Sequence, residues 1–351
     1  MIDINQAQQI ILKIFIENRS LASSNVHAEL LRRGNEVSLI TVKRELSELR
    51  SKGFLQSSGA GRSVKYRISN KGKLMTAIDV SQYCAKEPDK RSGLRGYNFS
   101  LLESISPDPF TTSETKILEE ATKIYRTNIK SISSTLNEKE LERFVIELSW
   151  KSSRIEGNTY TLLDTEKLIR RGIEALGHDK NETRMILNHK EAFRFIREQA
   201  SAFKEFSLAN LEEVHKILVK DMNVNYGLRS KPVGVTGSIY RPLDNSYQVK
   251  EALQSLAMSI KQIDSPCGKS LITLLGISYI QPFEDGNKRT SRLMANAVLL
   301  AYGYAPLSYR SVDENAYREA TLVFYELNSL VAFKKIFVEQ YDFAARNYAA
   351  K

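Results

Sequence analysis

Cysteine is almost missing from this chain: Cys84 and Cys267 are the only two in 351 residues, and nothing around either suggests a metal site. A disulfide framework and a cysteine-built metal centre are therefore excluded as organising features. No window approaches the roughly 18 uninterrupted apolar residues that a membrane span needs, so no membrane partner is expected. The stretch Met1-Ile2-Asp3-Ile4-Asn5 lacks a basic segment leading into an apolar one, so no secretory signal is expected and the cytoplasm is the expected location. His27, His178, His189 and His215 show no ligand spacing with one another and are assigned no role. Internal repeats and low-complexity tracts are absent as well. What is present is a composition of 42% hydrophobic and 26% charged residues, that of a globular protein long enough for two domains.

Acid is also missing from one place. Residues 51–75 hold Lys52, Arg62, Lys65, Arg67, Lys71 and Lys73 and no Asp or Glu. Over residues 1–75 there are 13 Lys and Arg against 6 Asp and Glu, which accounts for most of the net charge of +10. Such a basic cluster in one small domain is the electrostatic footprint of nucleic-acid binding, with a solvated basic face as the alternative.

The pattern in this region is three helices and a hairpin. Residues 6–17 place Ile10, Ile11, Ile14 and Phe15 on one helical face. Ser24 is expected to cap a second helix running to about Arg33, with Val26, Leu30 and Leu31 buried and Gly34 ending it. Ser38 or Thr41 caps a third, with Val42, Leu46 and Leu49 inward and Lys43, Arg44 and Arg50 outward. Phe54-Leu55 and Val64–Ile68 read as two strands around the Gly/Ser-rich turn from Ser57 to Ser63. This order resembles a winged helix-turn-helix domain over residues 1–75. The resemblance makes residues 38–52 the recognition helix and residues 57–63 the wing. Lys43, Arg44, Arg62 and Lys65 then become the candidates for contacts to double-stranded DNA. Placement of the charge favours DNA over a winged fold that serves protein contacts alone.

Residues 76–112 contain Glu87-Pro88-Asp89 and Ser106-Pro107-Asp108-Pro109 and read as a connecting region, with a short helix around residues 75–84. Residues 113–351 are helical in pattern. The expected fold is thus mainly α: an all-helical core preceded by a small α+β winged-helix domain.

Within the helical part, one polar stretch stands between two apolar runs, Leu271–Ile280 and Leu293–Tyr302. It reads Gln281-Pro282-Phe283-Glu284-Asp285-Gly286-Asn287-Lys288-Arg289-Thr290-Ser291-Arg292. A turn with Gly286 brings backbone N–H groups close to a ligand, and the following helix points its positive end there. Arg289 and Arg292 share a helix face suited to phosphate oxygens, and Asp285 is a hard ligand for Mg²⁺ riding on them. An ordinary interhelical loop with solvated charges is the bland alternative. Against it, the stretch resembles the Fic-domain signature, His-x-Phe-x-Asp/Glu-Gly-Asn-Gly-Arg-x-x-Arg, at Phe283, Asp285, Gly286, Asn287, Arg289 and Arg292.

The resemblance implies binding of ATP with Mg²⁺ and transfer of AMP to a Ser, Thr or Tyr hydroxyl of a target protein. It places the nucleotide on Gly286, Asn287, Lys288, Arg289 and Arg292 and the metal on Asp285. Helix 138–157 ends in Ser152-x-x-x-Glu156-Gly157, similar to the inhibitory motif of regulated Fic proteins, in which the glutamate pairs with the second arginine of the signature, here Arg292. Its carboxylate then takes the space of the γ-phosphate. Val233–Tyr240 suits an exposed β-hairpin, and in Fic proteins such a flap registers the target peptide by strand pairing. The flap residues are Val235, Thr236, Gly237, Ser238 and Tyr240.

Two positions depart from the signature. Gln281 stands where the family has its catalytic histidine, and an amide cannot take a proton near neutral pH. Lys288 replaces the second glycine, as in the Doc branch, whose members are protein kinases. Three readings follow: an adenylyltransferase impaired at Gln281, a Doc-like kinase, or a nucleotide-sensing DNA-binding regulator without catalysis. Homo-oligomerisation is left open.

Overall fold

The computed structural model describes residues 4–348, the side chain of Arg62 excepted. By its internal contacts the chain forms two compact units. The first takes in the N-terminal residues through Ser106, together with Val235–Tyr240 and Glu319–Lys334; the second holds the remainder.

The first unit begins with three short helices, α1 (Gln6–Glu17), α2 (Ser23–Arg32) and α3 (Leu39–Ser51). Asn5 and Gln8 close a capping box on α1, and Ser38 caps α3 by accepting from the Thr41 N–H. Ser24 does not cap α2: the helix starts one residue earlier, and Ala22 stands at the cap position without a side-chain bond. Leu31, expected inside, is 48% exposed, because Val26 and Leu30 already fill the buried stripe of this ten-residue helix. Ile11, Leu12, Ile14 and Phe15 pack with Val26, Leu30, Val42, Leu46, Leu49, Phe54 and Leu55 into one core. Each such side chain contributes on the order of 1.5–3 kcal/mol by leaving water. Strands β1 (Leu55–Ser58) and β2 (Lys65–Ile68) pair antiparallel with Leu55 opposite Ile68 and Ser58 opposite Lys65. Two small helices follow, α4 (Asn70–Met75) and α5 (Val80–Cys84), where a single one was expected.

The second unit is helical. Its helices are α6 (Thr112–Ser131), α7 (Ser134–Ile155), α8 (Leu162–Arg171), α9 (Lys180–Glu198), α10 (Leu208–Leu218), α11 (Ser246–Gln262), α12 (Pro266–Ile280) and α13 (Asn287–Ala301). Helices α14 (Glu314–Leu327) and α15 (Val331–Asn347) each contribute residues to both units. Helix α12 is buried on every side from Ser270 to Ile280, where its sequence carries no charge and few polar residues. At Gly276 an added Cβ would lie 2.3 Å from the Leu256 side chain, so only glycine lets α11 approach this closely. Ser270 of α12 donates to the Ala295 carbonyl of α13 at 2.9 Å. These two helices carry the 281–286 loop between them and fix its ends. Phe324, Phe333, Phe337 and Tyr341 are all buried, as their spacing predicts.

The segment Val233–Tyr240 departs from expectation. It contains no paired strand; it is irregular chain with a turn closed by the Ser238 N–H on the Val235 carbonyl at 3.1 Å. Alternation of apolar and small residues predicted strand pairing, but Gly234 and Gly237 interrupt it, and Gly237 adopts φ +75°.

Candidate functional site

The 281–292 loop is held by side chains from several elements. Gln281 terminates α12 in the left-handed region, φ +52°, and its Nε2 donates back to the Ser278 carbonyl at 2.5 Å. Its amide therefore closes the helix end. Phe283 is fully buried and stacks on the His215 ring, centroids 3.7 Å apart and planes 5° from parallel. The same His215 donates Nε2–H to the Asp285 carbonyl at 3.0 Å, and burial pushes its imidazolium pKa down to about 4, so the ring is neutral. Arg229 donates its backbone N–H to Pro282 at 3.0 Å and its Nε to Gln281 at 2.6 Å, both to carbonyls. Asn287 brackets Phe283, accepting from its N–H and donating to its carbonyl, each at 2.8 Å. The Asn287 amide thus shapes the loop and leaves only main-chain donors for a ligand.

Gly286, at φ +78°, sits at the N-cap of α13 and brings no side chain to cap it. The first-turn N–H groups of α13 are therefore free of side-chain caps, an arrangement suited to anions. Around this end stand three cations. Arg289 is buried and meets Asp285 Oδ2 at 3.3 Å, while Asp285 itself remains 67% exposed. Lys288 and Arg292 both turn to Glu156.

Glu156 lies just beyond α7, at its C-cap. Gly157 adopts φ +99° and ends the helix, as its position predicts. Arg292 has no exposed surface, and its three donor edges are all engaged. Nη1 reaches Glu156 Oε1 at 2.8 Å, Nε reaches Ser152 Oγ at 2.9 Å, and Nη2 reaches the Ser152 carbonyl at 2.8 Å. Lys288 Nζ approaches the other oxygen of Glu156 at 3.5 Å. Burial alone would raise the Glu156 carboxyl; Arg292 and then Lys288 outweigh it and hold the group below the usual carboxylate range. The face of Tyr317 covers the Arg292 guanidinium at 5.7 Å.

Residue order shows nothing of the contacts that fix the C-terminal end of α7 beside Glu156. Arg318 donates Nε to the Ile155 carbonyl at 2.8 Å, and its Nη2 reaches the same oxygen. Lys151 and Arg154 both pair with Glu314, at 2.9 and 3.0 Å. His215 was also missed, because stacking on Phe283 is a tertiary contact with no spacing signal. Among the described residues no group of three or more His, Cys, Asp or Glu is placed to hold a metal ion.

On the N-terminal unit, Ile40, Lys43, Arg44, Ser47 and Arg50 are all exposed and recur at helical spacing along α3, forming one outward stripe with no acid in it. Ile40, 81% exposed, was not anticipated. Lys65 is exposed on β2, and Arg62 falls in the turn between the strands, its side chain outside the described residues. In the flap, Ser238 donates to Glu326 Oε1 at 2.6 Å and the Gly237 carbonyl accepts from Arg91 at 2.9 Å.

The site is thus an uncapped helix end in a helical core, with two buried arginines and a glutamate bonded across one of them. The Fic/DOC family model matches residues 205–299, the stretch that includes the 281–292 loop. The penicillinase repressor family model matches residues 4–92, which fits a winged-helix domain there.

The protein adenylyltransferase Fic of Nematostella vectensis is 28% identical over 174 residues, 48% of this chain and 41% of that protein. The protein adenylyltransferase fic-1 of Caenorhabditis elegans is 23% identical over 199 residues, 55% of this chain and 39% of that one. The chain thus spans about two fifths of the length of these relatives. Among solved structures, C. elegans Fic-1 superposes with a TM-score of 0.58 at 21% identity, covering 67% of this chain and 72% of that one. A Fic-domain signalling protein from Bacteroides thetaiotaomicron gives 0.56 at 20% identity, covering 66% and 96%. No helix among the described residues is long and apolar enough to cross a membrane.

Proposed function

We propose that this chain binds ATP with Mg²⁺ at the 281–292 loop, in a site of the AMP-transferring kind that Glu156 holds shut and Gln281 leaves without its proton acceptor. The observation that carries the reading is Arg292, buried and with every donor edge engaged by Ser152 and Glu156. A buried arginine matched to a carboxylate in this way is suited to a phosphate once that carboxylate leaves.

The residues fit the nucleotide. The uncapped N-terminus of α13 with Arg289 would hold phosphate oxygens, Arg292 would join them on release of Glu156, and Asp285 presents an exposed carboxylate to Mg²⁺. Bound ATP with its metal supplies the phosphorus that a target hydroxyl attacks. The chain's own part is positional: side-chain bonds from Arg229 and Asn287 hold the loop, and Gln281 can orient a hydroxyl but not accept its proton. Loss of a general base costs about 10²–10⁴-fold in rate.

Kinase chemistry through Lys288 ranks second, because the Lys288 ammonium faces Glu156 and so supports a part in inhibition instead. The acid-free stripe on α3 supports double-stranded DNA as a partner of the N-terminal unit, and with it the reading as a nucleotide-sensing regulator.

The test is transfer of label to lysate proteins from α- and γ-labelled ATP in parallel, with the native chain, Glu156→Gly, and Glu156→Gly with Gln281→His. Label from α-labelled ATP in the double variant alone is expected. Label from γ-labelled ATP alone would establish the kinase reading. ATP binding without transfer in any variant would leave the regulator.

A further inference from the structure

We infer that Glu326 and Arg91 are positioning residues for the flap Val235–Tyr240 and make its conformation depend on the winged-helix fold. This rests on the reading of that segment as the one that docks a target protein.

The flap is bound within the N-terminal unit by a buried ionic knot. The Glu326 side chain has no exposed surface, and four donors converge on its carboxylate. They are Tyr83 Oη at 2.7 Å, Ser238 Oγ at 2.6 Å, the Ile239 N–H at 3.3 Å and Arg91 Nη1 at 3.3 Å. Arg91 also donates to the carbonyls of Lys86 at 2.9 Å, Cys84 at 3.2 Å and Gly237 at 2.9 Å. Two of these partners, Ser238 and Ile239, belong to the flap, and Gly237 is a third point of attachment. The surroundings are shaped to match. A Cβ at Gly93 would lie 2.7 Å from Tyr83 Oη and 3.1 Å from Glu326 Cβ, and Leu94 donates its N–H to the Glu326 carbonyl at 2.7 Å. A buried ion pair is a poor way to gain stability, since desolvating both charges offsets most of their attraction. Its strength is geometric: it accepts one arrangement of the flap backbone and disfavours others.

The residues just after Glu326 touch the winged helix. Leu330 donates its N–H to the Leu74 carbonyl at 3.0 Å, and Ser329 Oγ donates to the Thr76 carbonyl at 2.6 Å. Asn98 bridges Asn328 and Asn70, at 2.9 Å to each. On the other side of that strand of chain, Gln9 of α1 donates to the Met75 carbonyl at 3.0 Å and accepts from the Ala77 N–H at 2.9 Å. An unbroken path therefore runs from α1 through Gln9, Thr76, Ser329 and Glu326 to Ser238. A shift of α1 and α4 reaches the flap through a five-residue corner.

Hydrogen exchange on the full chain tests this directly, because the Ser238, Ile239 and Tyr240 amides are all bonded in the arrangement described. Glu326→Gln is expected to speed their exchange about 10- to 100-fold, the loss of charge-assisted bonds, with α12 amides unchanged. Ser238→Ala, which leaves the ion pair in place, is expected to speed them about 3- to 10-fold. Unchanged flap amides in Ser238→Ala and Glu326→Gln would overturn the positioning role. Ser329→Ala and Gln9→Ala, distant from the flap, are expected to speed the same three amides; exchange altered only around α1 and α4 would overturn the coupling. Label transfer reads the other claim separately: a responsive flap with no label moved by the Glu156→Gly, Gln281→His double variant refutes the transfer reading and keeps this one.

Discussion

Replacing Glu156 by alanine asks the sharpest question of the site. In the native chain any phosphate that is to use Arg292 must displace a carboxylate bonded at 2.8 Å and flanked by Lys288. If instead a γ-phosphate enters while the carboxylate stays, two like charges about 4 Å apart at an effective dielectric near 20 repel by about 4 kcal/mol per unit charge. That figure is a ceiling of roughly 10³ in affinity, since each 1.4 kcal/mol is tenfold and solvent and rearrangement will relieve part of it. The expected result of calorimetric titration is ATP affinity 10- to 10³-fold tighter in Glu156→Ala, following from the same numbers. ADP affinity should move far less, because it lacks the phosphate in conflict. The ligand-free variant should also be less stable. Removing one partner of a buried pair leaves the other uncompensated, at about 3–5 kcal/mol, here reduced by the two bonds to Ser152. A melting temperature lowered without nucleotide and recovered with ATP would carry both halves of the argument. Equal shifts for ATP and ADP, or none, would refute it.

Lys288→Gly removes a half-exposed cation from Glu156 and is expected to tighten ATP binding only about 2- to 5-fold, the size of a surface pair, as read by the same titration. Loss of γ-label transfer in that variant would instead mark Lys288 as a kinase determinant. Lys43→Ala and Arg44→Ala should each weaken binding to double-stranded DNA and reduce the slope of log affinity against log salt by about 1, measured by anisotropy across a salt series. The folded His215 pKa is depressed to about 4 against an ordinary value near 6.5. The unfolded chain therefore binds the extra proton between those limits, and stability falls by up to about 3 kcal/mol as pH drops from 6.5 to 4. His215→Phe should flatten part of that slope in urea unfolding at a pH series; His189, which burial also depresses, contributes in the same direction.

The local parts of this architecture were readable from residue order because each is decided within a few positions. The stripe of Ile11, Ile14 and Phe15 makes α1 amphipathic, Ser38 caps α3 by reaching three residues ahead, and Gly157 ends α7 in the left-handed region. The mostly apolar run Leu271–Ile280, interrupted by nothing more polar than Thr273 and Ser278, announces a helix buried all round. The flap was misread for the opposite reason. Alternation along Val233–Tyr240 describes a chain willing to pair, but a partner strand is a tertiary matter, and here the backbone bonds go to Glu326 and Arg91 instead. No spacing rule connects positions 91, 238 and 326.

Lys288 shows the same limit within the site. By residue order it is a departure from a glycine, and on that ground it pointed to different chemistry. Placed in three dimensions it faces the carboxylate that already holds Arg292, 132 residues earlier in the chain. Two cations then oppose the release of Glu156 where a glycine at position 288 would leave one, while Gln281 folds its amide onto Ser278 and offers no base. On the proposed function, both departures act in one direction, toward a site closed more firmly and with less chemistry in it once open. The double variant Glu156→Gly with Gln281→His therefore has to relieve both restraints before AMP transfer returns, and each single change should recover little.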